Sequence, residues 1–343
     1  MAKLVRTQVE MEGRFEERWV LVEPDDHIER WPDSSELRVV GTPATRLTGP
    51  RRVTGSARFI SDIALPGMLE AVVVRSPHAH ARVELDLPAA RAVPGVLAVA
   101  GPGDPPLLAG DEVLTAEPDY AGAAVAALAA VDAAAAAAGI AALDVRWEPL
   151  GFVVDLDQGL AEQRFTEDPS ETERGDVEAG FAEADVIVEA EYRTPAQVQQ
   201  ALEPHCAVAE WAQDELSIWV STQGIFDARG QLAGCFGIDP DRVHVTCEFM
   251  GGGFGAKQGA TIEGLLAAHL SRVSGRPVRL FNDRRTETIA TGHRPATIQQ
   301  YRVGARRDGT LTAIEATAVV AMGSSGLFVP PVLVPAATLY RCE

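Results

Sequence analysis

Cysteine is scarce in this chain and never paired. The four present, Cys206, Cys235, Cys247 and Cys342, form no CxxC and none of the clustered spacings of zinc or iron–sulfur ligands. They read as reduced, mostly buried thiols of a cytoplasmic protein, and any iron–sulfur centre is expected on another chain. Basic residues are also short, 30 Lys and Arg against 49 Asp and Glu, for a net charge of −19. A surface of that sign argues against nucleic acid and anionic membrane as partners and mostly confers solubility. Aromatic residues make up only 6%, so alanine is expected to do much of the core filling. Long apolar runs are missing too. The stretch from Met1 to Trp19 has no apolar h-region. The tract 121–143 is mostly alanine and contains Asp132, which is too weakly hydrophobic for a membrane span. Neither a Sec signal nor a membrane anchor is predicted.

What remains is a chain of 343 residues, with room for about two domains and a substantial core. Residues 1–36 are polar and acidic, with one strand-like piece at 18–22, fitting a surface hairpin or a docking arm. From Val53 the pattern is β-rich: 69–74 is apolar, 82–87 alternates, and 96–100 follows the turn residues Pro94-Gly95. A proline-rich loop at 102–106 precedes an expected alanine helix over 120–138, ended by Gly139, and a strand over 142–147. A linker over 151–175, charge-dense at 162–173, leads to a second unit from 176 onward. That unit reads as strands at 185–192, 206–212 and 216–221, a helix at 226–236 and a strand at 243–249. A helix at 262–273, a buried strand at 278–281 and a hairpin turning at Arg307-Asp308-Gly309 follow.

The stretch Met250-Gly251-Gly252-Gly253-Phe254-Gly255-Ala256-Lys257-Gln258-Gly259-Ala260 lies between a strand and a helix. Four glycines in one turn permit positive φ and let an outside group approach the main-chain amides. The adjacent helix N-terminus adds unpaired N–H donors and the positive end of a dipole, so an oxo or phosphate-like group is the expected visitor. Taken alone, such a cluster is equally a tight turn between buried elements. Neither GxGxxG nor GxxxxGK followed by Ser or Thr is present, which argues against an independent nucleotide-binding enzyme.

Other motifs accompany the loop in a fixed order. They are Thr54-Gly55-Ser56-Ala57-Arg58-Phe59 with Asp62, Leu65-Pro66-Gly67-Met68-Leu69, Arg75-Ser76-Pro77-His78-Ala79-His80-Ala81-Arg82, Leu202-Glu203-Pro204-His205 and Ser221-Thr222-Gln223. From about Leu37 to the last residue the chain resembles the molybdenum hydroxylases, the family of xanthine dehydrogenase, aldehyde oxidase and the large subunit of aerobic carbon monoxide dehydrogenase.

That resemblance implies an α+β architecture: an extension over 1–36, an α/β hammerhead domain over 37–150, a linker over 151–175, and over 176–343 the first part of an aldehyde oxidase/xanthine dehydrogenase molybdopterin-binding domain. It implies that Gln223 meets the metal's oxo group through its side-chain amide, and that Gly252, Gly253, Phe254 and Gly255 contact the metal end of the pterin. Gln223 and Phe254 would thus stand beside molybdenum without ligating it. Each also has a plain reading, Gln223 as a turn cap and Phe254 as a core aromatic. Gln258 occupies the place where purine-oxidising members carry a substrate-binding glutamate, so a charge-assisted contact to xanthine is lost. His78 and His80 fall on one face of an extended segment without an evident third ligand, Lys257 reads as an exposed lysine at a helix start, and Arg276, Arg279, Arg284, His293 and Arg294 are open.

The family's glutamate base and further pterin contacts do not occur in this sequence. The resemblance then implies a divided molybdopterin subunit, as in nicotinate dehydrogenase, with the general-base glutamate on the second half. The implied cofactor is molybdenum–molybdopterin, plain or as its cytosine dinucleotide. Iron–sulfur and FAD subunits carry the 2Fe–2S centres and flavin, and an N-heterocycle or aldehyde is hydroxylated with oxygen from water. The segment 329–339, with Phe328 ahead of it, is the expected association face, and the chain expressed alone is expected to be poorly soluble and metal-free. The alternative is a scaffold subunit that has lost the cofactor.

Overall fold

The computed structural model of the protein describes residues 3–11, 14–22, 37–104, 107–108, 111–166, 168–323 and 331–342. Its backbone is one mixed sheet of seven strands in the order Val243–Thr246, Glu215–Val220, Cys206–Ala212, Val278–Phe281, Leu69–Arg75, Ala124–Ala130, Val96–Ala100. Two neighbouring pairs are parallel, Glu215–Val220 with Val243–Thr246 and Val278–Phe281 with Leu69–Arg75. The other four are antiparallel. Strands from both halves of the chain therefore share one sheet, and the fold is α+β.

The helix Thr261–Ser274 lies across this sheet with Leu265, Leu266, Ala267, Ala268 and Leu270 buried, and ends at Gly275 with φ 66°. A second apolar cluster, built from Ala90, Val96, Val99, Leu128, Ala136 and Leu143, gathers the helices Leu87–Arg91 and Ala133–Ala142 onto the sheet.

The alanine tract departs from expectation. Instead of one helix over 120–138, it forms the strand Ala124–Ala130, buried along its whole length, and then the helix Ala133–Ala142, which runs through Gly139. The reason is tertiary. This segment lies between Leu69–Arg75 and Val96–Ala100, whose main-chain groups need ladder partners once buried, and that demand outweighs alanine's helix preference of under about 1 kcal/mol per residue. Asp132 marks the switch, its Oδ1 accepting from the Ala135 N–H at 2.8 Å.

A separate sheet joins Val186–Thr194, Thr297–Ala305 and Leu311–Val320, the last two forming the hairpin expected around Gly309. Phe181, from the helix Val177–Ala182, covers one face, with the Arg302 guanidinium 4.1 Å above its ring. On the opposite face the register aligns Val188, Val303 and Ile314, with Tyr192 edge-on to Tyr301 at 6.0 Å. Val186, Val188 and Tyr192 there are 50%, 58% and 57% exposed.

The piece expected at 18–22 belongs to the strand Arg14–Val22, which pairs antiparallel with Lys3–Met11. Of the expected association face, 329–330 lie outside the described residues, as does Phe328, while Val334–Leu339 is a short helix with Val334 and Leu339 exposed. No helix among the described residues is long and apolar enough to cross a membrane.

Candidate functional site

The parallel strands Glu215–Val220 and Val243–Thr246 run toward the same end of the sheet, and the helices Ile225–Phe236 and Thr261–Ser274 begin there. Ligand sites favour this place, where helix N-termini gather beyond the carboxyl ends of parallel strands. The Ser221-Thr222-Gln223 turn and the glycine loop meet at this end. The Gln223 N–H donates to the Lys257 carbonyl at 2.6 Å, and Thr222 Oγ1 donates to the Gly259 carbonyl at 2.7 Å. Gln223 Oε1 accepts from the N–H groups of Gly255 at 2.8 Å and Lys257 at 3.3 Å. Two N–H donors on one amide atom identify it as the oxygen, so the Gln223 NH2 group is the donor end, without a partner among the described residues.

The loop packs closely on its neighbours at Gly251 and Gly253. A Cβ on Gly253 would stand 2.5 Å from Gln223 Oε1, and one on Gly251 2.5 Å from the Glu203 Cβ. Gly252 and Gly255 take φ of 102° and 92°, and Phe254 between them takes 53°, a left-handed conformation costing an aromatic residue about 1–3 kcal/mol. The main-chain N–H groups of Gly252, Gly253 and Phe254 have no partner among the described residues. Phe254 is not the core aromatic of the plain reading, because its side chain is 60% exposed. Gln258 is exposed.

Beneath the loop lies a buried charged floor. Lys257, expected as a surface lysine, is instead 0% exposed. Its Nζ donates to the Glu203 carbonyl at 2.6 Å and lies 3.5 Å from Glu203 Oε2, which also accepts from the Gly251 N–H at 2.8 Å. A buried ammonium without such partners would cost several kcal/mol, so the ion pair is what permits a lysine here. His205, 3% exposed, pairs with Glu287 through Nδ1 at 2.9 Å, and its Nε2 lies 3.1 Å from the Ala256 carbonyl. With acceptors on both nitrogens the ring is an imidazolium. Burial opposes that charge, but the bonds to Glu287 and Ala256 and the nearby Glu263 outweigh it and raise the histidine's pKa. Glu287 is held below the usual carboxylate range because its bonds to His205 outweigh its burial.

Glu203 and His205 of Leu202-Glu203-Pro204-His205 thus form the underside of the glycine loop, a role the sequence motif did not reveal. Its signal was a Glu and a His two apart beside buried strand Cys206–Ala212, where lone charges are not tolerated.

Other expected candidates lie elsewhere. His80 contacts Glu117 at 3.3 Å and the Gly151 carbonyl at 3.0 Å, and His78 stands edge-on to Trp147 at 5.7 Å. Cys206 is buried and its thiol is pushed up to about 12, by burial first and then by Glu203, while the other three cysteines are half-buried. A cleft of about 540 Å³, lined by Asp214, Phe236 and Arg272, sits at the opposite, C-terminal ends of the same two helices. It is not part of this site.

Known proteins resemble this chain in sequence and fold. Residues 54–151 match the family model of the aldehyde oxidase and xanthine dehydrogenase a/b hammerhead domain, and residues 160–342 that of the molybdopterin cofactor-binding domain. The aldehyde oxidoreductase molybdenum-binding subunit PaoC of Escherichia coli (strain K12) is 34% identical over 294 residues, covering 81% of this chain and 40% of that protein. The nicotinate dehydrogenase large molybdopterin subunit of Eubacterium barkeri is 29% identical over 332 residues, covering 89% and 75%. The crystal structure of quinoline 2-oxidoreductase from Pseudomonas putida 86 superposes with a TM-score of 0.71 at 27% identity, over 81% of this chain and 39% of that one. The chain spans about 40% of the length of the Escherichia coli relative. Hammerhead fold, molybdopterin-binding fold and the order of their motifs agree, and the chain belongs to the molybdenum hydroxylase family of xanthine dehydrogenase and aldehyde oxidase, as a large-subunit fragment carrying the molybdopterin-binding domain.

Proposed function

We propose that this chain is part of a cytoplasmic, multi-subunit molybdenum hydroxylase acting on an N-heterocycle or an aldehyde, and that Gln223, Gly252, Gly253, Phe254 and Gly255 hold the metal end of its molybdopterin. The observation that carries this reading is the 2.8 Å bond from the Gly255 N–H to Gln223 Oε1, which joins two motifs 32 residues apart into one donor surface. The residues fit the group. The Gln223 NH2 and the N–H groups of Gly252, Gly253 and Phe254 are all neutral donors without partners among the described residues, on a chain whose net charge of −19 would otherwise repel an anionic cofactor. Bound there, a molybdenum pterin supplies two-electron oxidation of a substrate carbon.

The side chains of this chain do the orienting. Gln223 presents an amide donor that holds an oxygen beside the metal without competing for it as an anion. The Lys257–Glu203 and His205–Glu287 pairs keep the strained loop on its floor. Gln258 offers a neutral hydrogen bond to substrate where a glutamate would select a purine, which supports an aldehyde or an uncharged heterocycle.

We assign the general-base glutamate to a second molybdopterin-subunit half, with 2Fe–2S and FAD subunits taking the electrons. The Eubacterium relative, called a large molybdopterin subunit and covered to 75%, supports a divided subunit. So do Leu202, Phe226 and Phe254 beside the site, exposed to 87%, 61% and 60%, and the open apolar sheet face at Val186, Val188 and Tyr192, surfaces suited to an obligate partner.

The test is purification of the native complex, identification of its chains and metal analysis, alongside Gln223→Ala. The wild-type complex is expected to contain molybdenum and a second molybdopterin-binding chain, and the variant to lose turnover by at least about a hundredfold. Unchanged turnover with full metal in the variant would favour the scaffold alternative.

A further inference from the structure

The carbonyl of Phe254 and the N–H of Gly255 are the two ends of one peptide group, and the protein grips both. Arg294 Nη2 donates to the Phe254 oxygen at 3.0 Å, and the Gly255 N–H donates to Gln223 Oε1 at 2.8 Å. Phe254 itself has φ 53°, a left-handed conformation an aromatic residue rarely adopts, so this turn depends on contacts from elsewhere to hold its shape. The arginine itself is anchored. Its main chain exchanges hydrogen bonds with Gln197 at 2.7 and 3.0 Å, while its guanidinium has no carboxylate partner among the described residues.

We infer that Arg294 is a positioning residue that locks the Phe254–Gly255 peptide and, through it, sets which end of the Gln223 amide is offered outward. An uncompensated cation on a peptide oxygen polarises the peptide and strengthens its N–H as a donor. That N–H holds Gln223 Oε1 inward, with the Lys257 N–H as a weaker second donor at 3.3 Å. Were the peptide to turn over, a carbonyl would face Oε1, the glutamine amide would rotate, and an acceptor would replace the NH2 donor on the open side. The link to cofactor rests on the function proposed above. The link from Arg294 to the peptide does not.

Two measurements on the purified complex separate these. Hydrogen exchange over 250–258 is expected to rise roughly tenfold in Arg294→Met, to change less in Arg294→Lys, and to stay as in wild type over the strand Cys206–Ala212. Turnover in Arg294→Met is expected to fall roughly tenfold in kcat with little change in KM, and millimolar guanidinium is expected to restore part of it, which a fold-wide defect would not allow. Unaltered exchange over 250–258 in Arg294→Met overturns the proposal, as does a kcat that falls without recovery in guanidinium. A wild-type complex free of molybdenum would overturn the proposed function and leave the exchange result to decide the peptide lock.

Discussion

His205 and Glu287 form a buried charged pair beneath the glycine loop. His205 carries a pKa above the ordinary histidine value near 6.5, so its contribution to stability is complete below that value and is lost as pH rises through the raised one. Glu287 carries a depressed pKa, so its contribution is present above about 4.5 and is lost as pH falls through the depressed value. Between about 4.5 and about 6.5 both are fully charged and the pair stabilises most. Glu287→Gln is expected to cost roughly 3 kcal/mol in that window and to flatten the decline of melting temperature as pH rises above it. Parallel pH profiles for wild type and variant would contradict the imidazolium assignment. The roles proposed for Gln223 and the glycines come from the sequence, because their spacing matches a family motif. The buried state of Lys257 could not, since a lysine's surroundings come from residues 54 positions away in the chain.

At the scale of elements, the alanine tract shows why one composition gives two structures. Alanine suits a helix by propensity, but it also suits a strand covered on both faces, where its small side chain lets helices approach closely. The helix Ala133–Ala142 comes so near that a Cβ on Gly139 would meet Leu128 and Val96 at 2.9 Å. Position 132 decides where strand becomes helix. Asp132→Ala is expected to destabilise the protein by about 1 kcal/mol through loss of the bond to the Ala135 N–H, while Asp132→Asn, which keeps the acceptor, is expected to stay near wild type. Urea denaturation of both variants measures this, and equal losses would show that the negative charge and not the cap is at work. The hairpin at Gly309, by contrast, was legible, since alternation and turn chemistry act within a few residues of each other.

For the whole molecule, the notable contact is between the two halves of the chain. Leu69 pairs with Val278 in parallel register and donates its N–H to the Pro277 carbonyl at 2.8 Å. Glu70 pairs with Arg279 at 2.6 Å, and the buried Arg75 with Glu263 at 3.0 Å. One apolar cluster runs from Leu69 and Ala71 through Ala124 to Leu216, Leu265 and Leu280. A shared sheet and a shared core should unfold together, so calorimetry is expected to give one transition for the strands and helices of the seven-stranded sheet, between 69 and 281, with calorimetric and van't Hoff enthalpies equal. Two resolved transitions, one assignable to residues 54–151, would mean that the parallel pairing does not couple them.

The sequence by itself determined the family, the strand, loop and helix that frame the glycine turn, and the residues lining it, because those depend on local spacing and on the absence of side chains. Only the tertiary structure decided the burial of Lys257, the charged state of His205, the strand within the alanine tract, and the meeting of Arg294 and Gln223 across one peptide. Each of these is set by desolvation or by a hydrogen-bond partner far along the chain, and neither is a property of any residue's neighbours in sequence.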